Sequence, residues 1–454
     1  MTAGSKRQDI LDWTNASWER LPASVDLRKR AGEMAQKLAG EITAGKLPFL
    51  STPFMAALEK DLAGLESGFL AGFEHMLLLG IGGSALGARA LQKAFAPGQD
   101  LPGHTGKSLW IMDNVDAAVL EAHLDRLPAD KTLVYVVSKS GDTIETIGQY
   151  FLVKDWLKKA LPGAWKDHLL LNTDEQKGYL RQEAETFGIR TLPVPDNLGG
   201  RYSAISAVGL VPAAFLGMDW RALVKGFQAV AAPLTDPKLD AASLAAHPAF
   251  EFAVWGKALM DEGFCELITF FYIPAWSSFA DWFAQLWAES LGKDGMGSQP
   301  LPAVGATDQH SVNQMFLDGP RNKACLFVER AGGPEGLPFP ADMPPIFDYL
   351  QGKRFGVLLP AEALGTRMAL TQSQVPLVAL RLGADDAQAA GKMMALLGAA
   401  TLLTGWLMGI NPVDQPAVEL GKRLAKARLG ADGLAEEKAA LAAFVTGGRD
   451  ERGF

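Results

Sequence analysis

Apolar positions along the chain fall into two rhythms. Short β-rich runs, "HMLLLGIGGS" (75–84), "SLWIMDN" (108–114), "TLVYVVSKSG" (132–141) and "HLLLNT" (168–173), are separated by longer stretches of helical character. This alternation predicts an α/β fold, with doubly wound parallel sheets. Around "LPVPDNLGGRYSAISAVGL" (192–210) the pattern breaks into a Pro/Gly-rich turn and then a helix. A second series follows in "ELITFFYIPA" (266–275), "KACLFVER" (323–330) and "VPLVALRL" (375–382), again with helical segments between. The expected organisation is an N-terminal helical arm over 1–43, a first α/β domain over 44–236, a second over 237–409, and a helical tail over 410–454.

The run "MMALLGAATLLTGWLMGI" (393–410) has no charged residue and is long enough for a membrane span to be weighed. It stands alone, is rich in Ala, Gly and Thr, and lacks flanking aromatic belts. The expectation is therefore a central buried helix and no membrane association.

Composition narrows the function classes. A chain of 454 residues exceeds the usual single-domain size. The formal net charge of -8 is spread along the chain without a basic block, so nucleic acid is not an expected partner. The 2 cysteines, Cys265 and Cys325, suggest neither a disulfide framework nor a metal cage. With no apolar signal core in "MTAGSKRQDILDW", the expected location is the cytoplasm.

In a doubly wound sheet, ligands bind beyond the carboxyl ends of strands, where a loop turns into a helix with unpaired amides. "VVSKSGDTIET" (136–146) has that layout. Its hydroxyls at Ser138, Ser140 and Thr143 can donate to phosphate oxygens, and Gly141 lets the backbone come close. The simpler alternative is a capping box, in which one hydroxyl serves a helix amide. The other glycine cluster, "LLLGIGGSALGARAL" (77–91), places a doubled glycine, Gly82 and Gly83, before Ser84, which suits backbone contact with a small ligand. Gly80, Gly82 and Ala85 also meet a loose dinucleotide fingerprint, with Asp113 ending the next strand. Asp113 lies further downstream than the usual spacing of about 20 residues, and a nicotinamide-dependent oxidoreductase stays open as a competitor.

The helix "SFADWFAQLWAESLGKDG" (278–295) is apolar and aromatic except for Asp281, Gln285 and Glu289, which fall at i, i+4 and i+8 on one face. Such a stripe is either a thin solvent edge or a carboxylate held in a cleft at an element tip, where a general base can sit. His310 in "GATDQHSVNQMF" lies in a polar loop leading into a helix. Lys422 lies on an amphipathic helix two turns from Gln415, and its simplest role is on a solvated face. Arg201, after two glycines in "LGGRYSAIS", can bind an anion or merely cap a carbonyl.

Taken together, "GIGGS", "SKSGDTIET", "GGRYSAISAVGL", "ESLGKDG", "DQHS" and "INPVDQPAVELGKRLAK" resemble the phosphoglucose isomerase family in order and interval, from Gly80 to Lys426. The chain is most similar to its compact bacterial type: "SKSGDT" and "TDQHSVNQ" depart from the bulkier and glycine-containing versions of longer members. The resemblance implies two sugar-isomerase (SIS) domains and aldose–ketose isomerisation between glucose 6-phosphate and fructose 6-phosphate. It also implies a homodimer in which His310 reaches the partner's site, with no cofactor and no metal. Carried over, Gly83, Ser84, Ser138, Lys139, Ser140 and Thr143 look like phosphate-binding positions, and Gln285 and Gln415 like auxiliary ones. Glu289 looks like the base, Arg201 like the enediolate stabiliser, and His310 with Lys422 like the ring-opening pair. A sugar-phosphate-sensing SIS module without catalysis is the alternative from another class. It would keep the hydroxyl loop but have no use for Glu289, His310 and Lys422 together.

Overall fold

A strand of consecutive apolar residues must be covered on both faces, because successive side chains point to opposite sides. The computed structural model, which describes residues 8–448 and 452, meets that demand with two five-stranded sheets. The strands are β1 (Ile10–Asp12), β2 (His75–Leu79), β3 (Ser108–Met112), β4 (Thr132–Val137), β5 (Leu169–Thr173), β6 (Arg190–Pro193), β7 (Glu266–Phe271), β8 (Gln299–Val304), β9 (Lys323–Arg330) and β10 (Leu377–Leu382). The first sheet has the order β3-β2-β4-β5-β6 and is parallel throughout. The second has the order β1-β10-β9-β7-β8, parallel except for β1, which runs antiparallel to β10 with Ile10 opposite Arg381.

Both sheets reverse direction in the same way. From β2 the chain steps outward to β3 and returns to the other side of β2 as β4; from β7 it steps to β8 and returns as β9. The β2/β4 and β7/β9 pairs are therefore topological switch points, and the crevice beyond their carboxyl ends is where such sheets take ligands.

Alternation along the strands divides the core. Met76, Leu78, Tyr135 and Val137 of the first sheet share one hydrophobic cluster with Leu267, Phe271, Leu326 and Leu380 of the second. The helices Trp220–Leu234, Pro248–Asp261 and Ala387–Leu407 contribute to that cluster. On the opposite face of the first sheet, Leu77, Leu79, Val134 and Val136 pack with Tyr150, Val153 and Leu157 from the helix Ile144–Ala160. On that of the second, Ile268, Phe270 and Phe327 pack with Ala363 and Leu370 from the helix Leu358–Gln372.

Most of the uncharged run lies in the helix Ala387–Leu407, and 94% of that helix's most apolar window is buried inside the protein. Its polar positions are satisfied within the helix: the Thr401 and Thr404 hydroxyls donate to the Leu397 and Ala400 carbonyls at 2.7 and 2.8 Å. The Asp386 side chain caps its start by accepting from the Ala389 amide at 2.8 Å. Small residues bring it against Trp220–Leu234. A side chain at Gly391 would run into the Leu223 carbonyl, with the Phe227 amide nitrogen only 2.8 Å away, and one at Gly226 would run into the Gln388 carbonyl.

The structure adds three strands to those legible as apolar runs, and all three are edges. β8 contains Pro300 and Pro302, which a central strand cannot hold because each removes a ladder donor. β6 is four residues long. β1 has three residues, and it lies in the segment expected to be helical, which otherwise supplies the helices Ala23–Lys29 and Ala31–Thr43. The chain divides into one compact unit reaching Pro412 and a second beginning at Val413. Within the second, the helices Glu419–Arg428 and Ala435–Thr446 are joined by an ion pair between Arg423 and the buried Glu437.

Overpacking the helix contact should be costly. We expect Gly391→Val to lower stability by about 1–3 kcal/mol, seen as an earlier urea midpoint. Gly148→Ala, where an added Cβ meets nothing within 4 Å, should leave the midpoint equal or higher. Equal midpoints for the wild type and Gly391→Val would show that the two helices can separate freely.

Candidate functional site

The loop after β4 is braced from three directions. The Ser138 amide donates to the Asn172 carbonyl at 3.0 Å, the Lys139 carbonyl accepts from the Asp174 amide at 3.0 Å, and the Asp142 carboxylate accepts from the Tyr179 amide at 3.0 Å. Gly141 turns the chain at φ 72°, a left-handed conformation that glycine adopts freely. A Cβ there would also lie 3.1 Å from Thr173 Oγ1.

The hydroxyls of this loop bond mainly to one another. Ser138 Oγ donates to Thr143 Oγ1 at 3.1 Å, and Ser140 Oγ lies 3.5 Å from the same oxygen. Ser140 Oγ also accepts from the Asp142 amide at 3.2 Å. Thr143 stands at the N-cap of Ile144–Ala160, yet its side chain makes no cap bond. The capping-box alternative is thus not the arrangement seen, and the first turn of a 17-residue helix keeps amides for another acceptor. Ser138 is buried, Lys139 and Thr143 are half-buried, and Ser140 is exposed. Burial lowers the Lys139 ammonium below the ordinary lysine pKa; Asp196 opposes this, Lys177 adds to it, and Asp174 opposes it.

Beside this loop, at the end of β2, Gly82, Gly83 and Ser84 form a tight turn, with Gly82 at φ 56°. The turn lies directly against the turn that carries Arg201. A side chain at Gly83 would collide with the Gly200 carbonyl and come within 2.7 Å of the Arg201 amide nitrogen. Only glycine permits that approach. The third wall is the helix Ser277–Leu291, which follows β7: a Cβ at Gly82 would lie 3.1 Å from Gln285 Nε2. The polar stripe is as expected, with Asp281 exposed, Gln285 and Glu289 half-buried, and Trp282, Phe283, Leu286 and Trp287 buried.

These segments bring Arg201, Gln285 and Glu289 together. Gln285 Nε2 donates to Glu289 Oε2 at 3.1 Å, and Arg201 Nη1 faces Glu289 Oε1 at 3.7 Å. The Arg201 side chain is 1% exposed and that of Glu289 25%, so a buried cation meets a carboxylate open on one side. Besides facing the Glu289 carboxylate, Arg201 caps a carbonyl, with Nη2 donating to the Pro412 carbonyl at 2.7 Å. Its Nε donates to Ser290 Oγ at 2.7 Å, and the Tyr202 hydroxyl lies 3.2 Å from that oxygen. Burial foremost raises the Tyr202 pKa. Gln285 Oε1 is buried without a hydrogen-bond partner, an acceptor awaiting a donor.

Lys293 fixes the tip of the helix. Its ammonium donates to the Ser290 carbonyl at 2.7 Å, the Glu289 carbonyl at 3.4 Å and the Asn411 carbonyl at 2.7 Å, so a cation closes the helix where its last carbonyls point. Ser290, Tyr202, Lys293 and Pro412 were not among the expected residues. One signal for Ser290 was present: it lies one turn after Leu286 on the apolar face, where a polar residue is out of pattern.

The remaining expected residues belong to other segments. His310 is exposed at the end of the turn Thr307–Gln309 after β8. Gln415 and Lys422 belong to the second compact unit, where Lys422 Nζ donates to Glu419 Oε1 at 2.7 Å. Asp113, the candidate ribose ligand of a dinucleotide site, accepts from Arg89 Nε at 2.9 Å and is occupied by that pair. Among the described residues, no group of three or more His, Cys, Asp or Glu is placed to hold a metal ion.

Comparison with known proteins places this geometry in a lineage. The phosphoglucose isomerase family model matches residues 63–327. A glucose-6-phosphate isomerase of Rubrobacter xylanophilus is 39% identical over 383 residues, covering 83% of this chain and 87% of the relative. One from Carboxydothermus hydrogenoformans is 32% identical over 432 residues, covering 92% and 89%. A solved hypothetical protein from Thermus thermophilus has a TM-score of 0.81 at 31% identity, covering 93% of this chain and 100% of that one. The crystal structure of a glucose-6-phosphate isomerase from Chlamydia trachomatis shares the fold, with a TM-score of 0.70 at 23% identity over 86% of this chain and 78% of that one.

If the loop hydroxyls hold an anion, Ser138→Ala and Thr143→Ala should each weaken binding of inorganic phosphate by roughly 1.5–3 kcal/mol, the size of a charge-assisted hydrogen bond. Isothermal titration reads this directly. Wild-type affinity in both variants would reduce the hydroxyls to internal braces of the loop.

Proposed function

The chain belongs to the phosphoglucose isomerase family, and we propose that it interconverts glucose 6-phosphate and fructose 6-phosphate by passing one proton through Glu289. The observation that carries this reading is the approach of Arg201 Nη1 to Glu289 Oε1 at 3.7 Å, at the carboxyl edge of a sheet whose neighbouring loop is lined with hydroxyls. An aldose–ketose shift needs a base that removes a weakly acidic C–H proton beside a carbonyl and returns it to the adjacent carbon. One carboxylate on one face of a planar enediolate does both. Glu289 takes the C2 proton of the open-chain aldose and delivers it to C1, while the hydroxyl proton passes from O2 to O1. Arg201 is the fixed cation for the oxyanion that develops between these steps.

The phosphate takes no part in the proton transfer; its binding energy positions the reacting carbons. In this reading Ser84, Ser138, Lys139, Ser140 and Thr143 hold it, with the Gly83 backbone and the amides at the start of Ile144–Ala160. Gln285 and Gln415 contact the sugar, and the unpartnered Gln285 Oε1 supports this by needing a donor such as a hydroxyl. Because the sugar arrives mainly as a ring, His310 and Lys422 open it. The exposure of the His310 loop supports its serving the site of a second copy, so the working form is a homodimer. Cys265 and Cys325 are both free thiols, consistent with a cytoplasmic location.

Three measurements test the assignment. Glu289→Gln keeps the shape but cannot accept a proton, so isomerisation of fructose 6-phosphate should fall by ~10²–10⁴, with little change in affinity for the sugar phosphate. In deuterated water the wild type should wash label into the sugar at the carbon that loses its proton, and Glu289→Gln should lose that exchange. Exchange near the wild-type rate in the variant would mean that another residue is the base. Mixing inactive His310→Ala with inactive Glu289→Gln chains, under conditions of proven subunit exchange, should regenerate some activity in the heterodimer. No recovery would mean that His310 serves its own chain's site, or none.

A further inference from the structure

We propose that Ser290 is a positioning residue for this isomerisation, acting through Arg201 by fixing the plane of its guanidinium; the proposal rests on the roles given above to Arg201 and Glu289. Ser290 lies on the buried face of Ser277–Leu291, one helical turn beyond Leu286, and is 0% exposed. Alanine would fill that position with better helix propensity and no polar atom to satisfy. A hydroxyl kept in such a place is therefore a polar device, and its oxygen has a specific partner. It accepts from Arg201 Nε at 2.7 Å, and the Tyr202 hydroxyl approaches it at 3.2 Å while also donating to the Pro412 carbonyl at 3.5 Å.

A guanidinium is a rigid planar fork, so holding two of its nitrogens determines where the third points. Ser290 Oγ takes Nε, and the Pro412 carbonyl takes Nη2 at 2.7 Å. Nη1 is left on the edge that faces Glu289 Oε1. The helix thus carries the base and, on the next residue, the anchor for the cation that works opposite it. The Lys293 ammonium pins the Ser290 carbonyl, so base and anchor move as one piece. Losing the anchor removes the bond to Nε and loosens the plane of the guanidinium opposite the developing oxyanion without touching the phosphate loop.

The test separates preorganisation from simple packing. In Ser290→Ala, kcat should fall by about 10–10², with KM for fructose 6-phosphate nearly unchanged. Affinity for a five-carbon sugar-hydroxamate phosphate, a planar mimic of the enediolate, should fall by about 10-fold or more. Affinity for an alditol phosphate, which has no such charge, should hold. Ser290→Thr, which restores the hydroxyl, should recover part of kcat, and Tyr202→Phe, which removes one brace, should show a smaller loss in the same direction. These two variants carry the test if Ser290→Ala does not fold. Wild-type kcat in Ser290→Ala, or equal weakening of both ligands, would overturn the proposal while leaving the isomerase reading intact. A wild-type chain that does not isomerise fructose 6-phosphate would overturn both.

Discussion

A guanidinium taken out of water ties the molecule together. Arg201 comes from the turn after the first sheet, its Ser290 partner from the helix after β7, and its Pro412 partner from the segment after the long core helix. A buried cation is costly unless its protons are received, and removing one partner of a buried charge typically costs about 3–5 kcal/mol. The fold therefore cannot relax these three segments independently. The same constraint accounts for the glycine at 83, because its backbone must nearly touch that of Gly200 and Arg201.

Around the cation, two sheets of similar topology bring different groups together. The first sheet carries the loop hydroxyls and a helix start at its switch point; the second is followed by the helix with Glu289 and Gln285. The second sheet's own switch point is also open, as a cleft of about 460 Å³ lined by residues such as Tyr272, Pro274, Gly332 and Phe355. Two of its charges are paired, Glu329 with Arg367 at 2.8 Å and Arg330 with Asp385, while Glu362 also lines it. One architecture used twice thus yields a crevice where loop hydroxyls face a helix start, and a largely apolar one where they do not.

Much of this was legible in the chain itself. Runs such as His75–Leu79 and Thr132–Val137 announce strands covered on both faces, since every position is apolar or nearly so. The stripe at 281, 285 and 289 announces one polar face on a buried helix, because helical geometry repeats on that spacing. "VVSKSGDTIET" announces a strand, a glycine turn and a helix start in order within one short segment, as observed. These are local properties, set by backbone period and by which side chains a short segment places together.

What only the tertiary structure decided lies between segments. β8, with its two prolines, reads as a loop until its place at a sheet edge shows that its missing donors face no neighbour. β1 has too few residues to reveal a period, and it becomes a strand because β10 offers it an open edge. That Thr143 does not cap its helix required seeing its hydroxyl oxygen accept from Ser138 instead of from a helix amide. Above all, the contacts of Arg201 with Ser290 and Pro412 span 89 and 211 residues. No periodicity encodes such a meeting; it follows from the sheets closing on a shared helical layer, where desolvation makes an unpaired guanidinium costly.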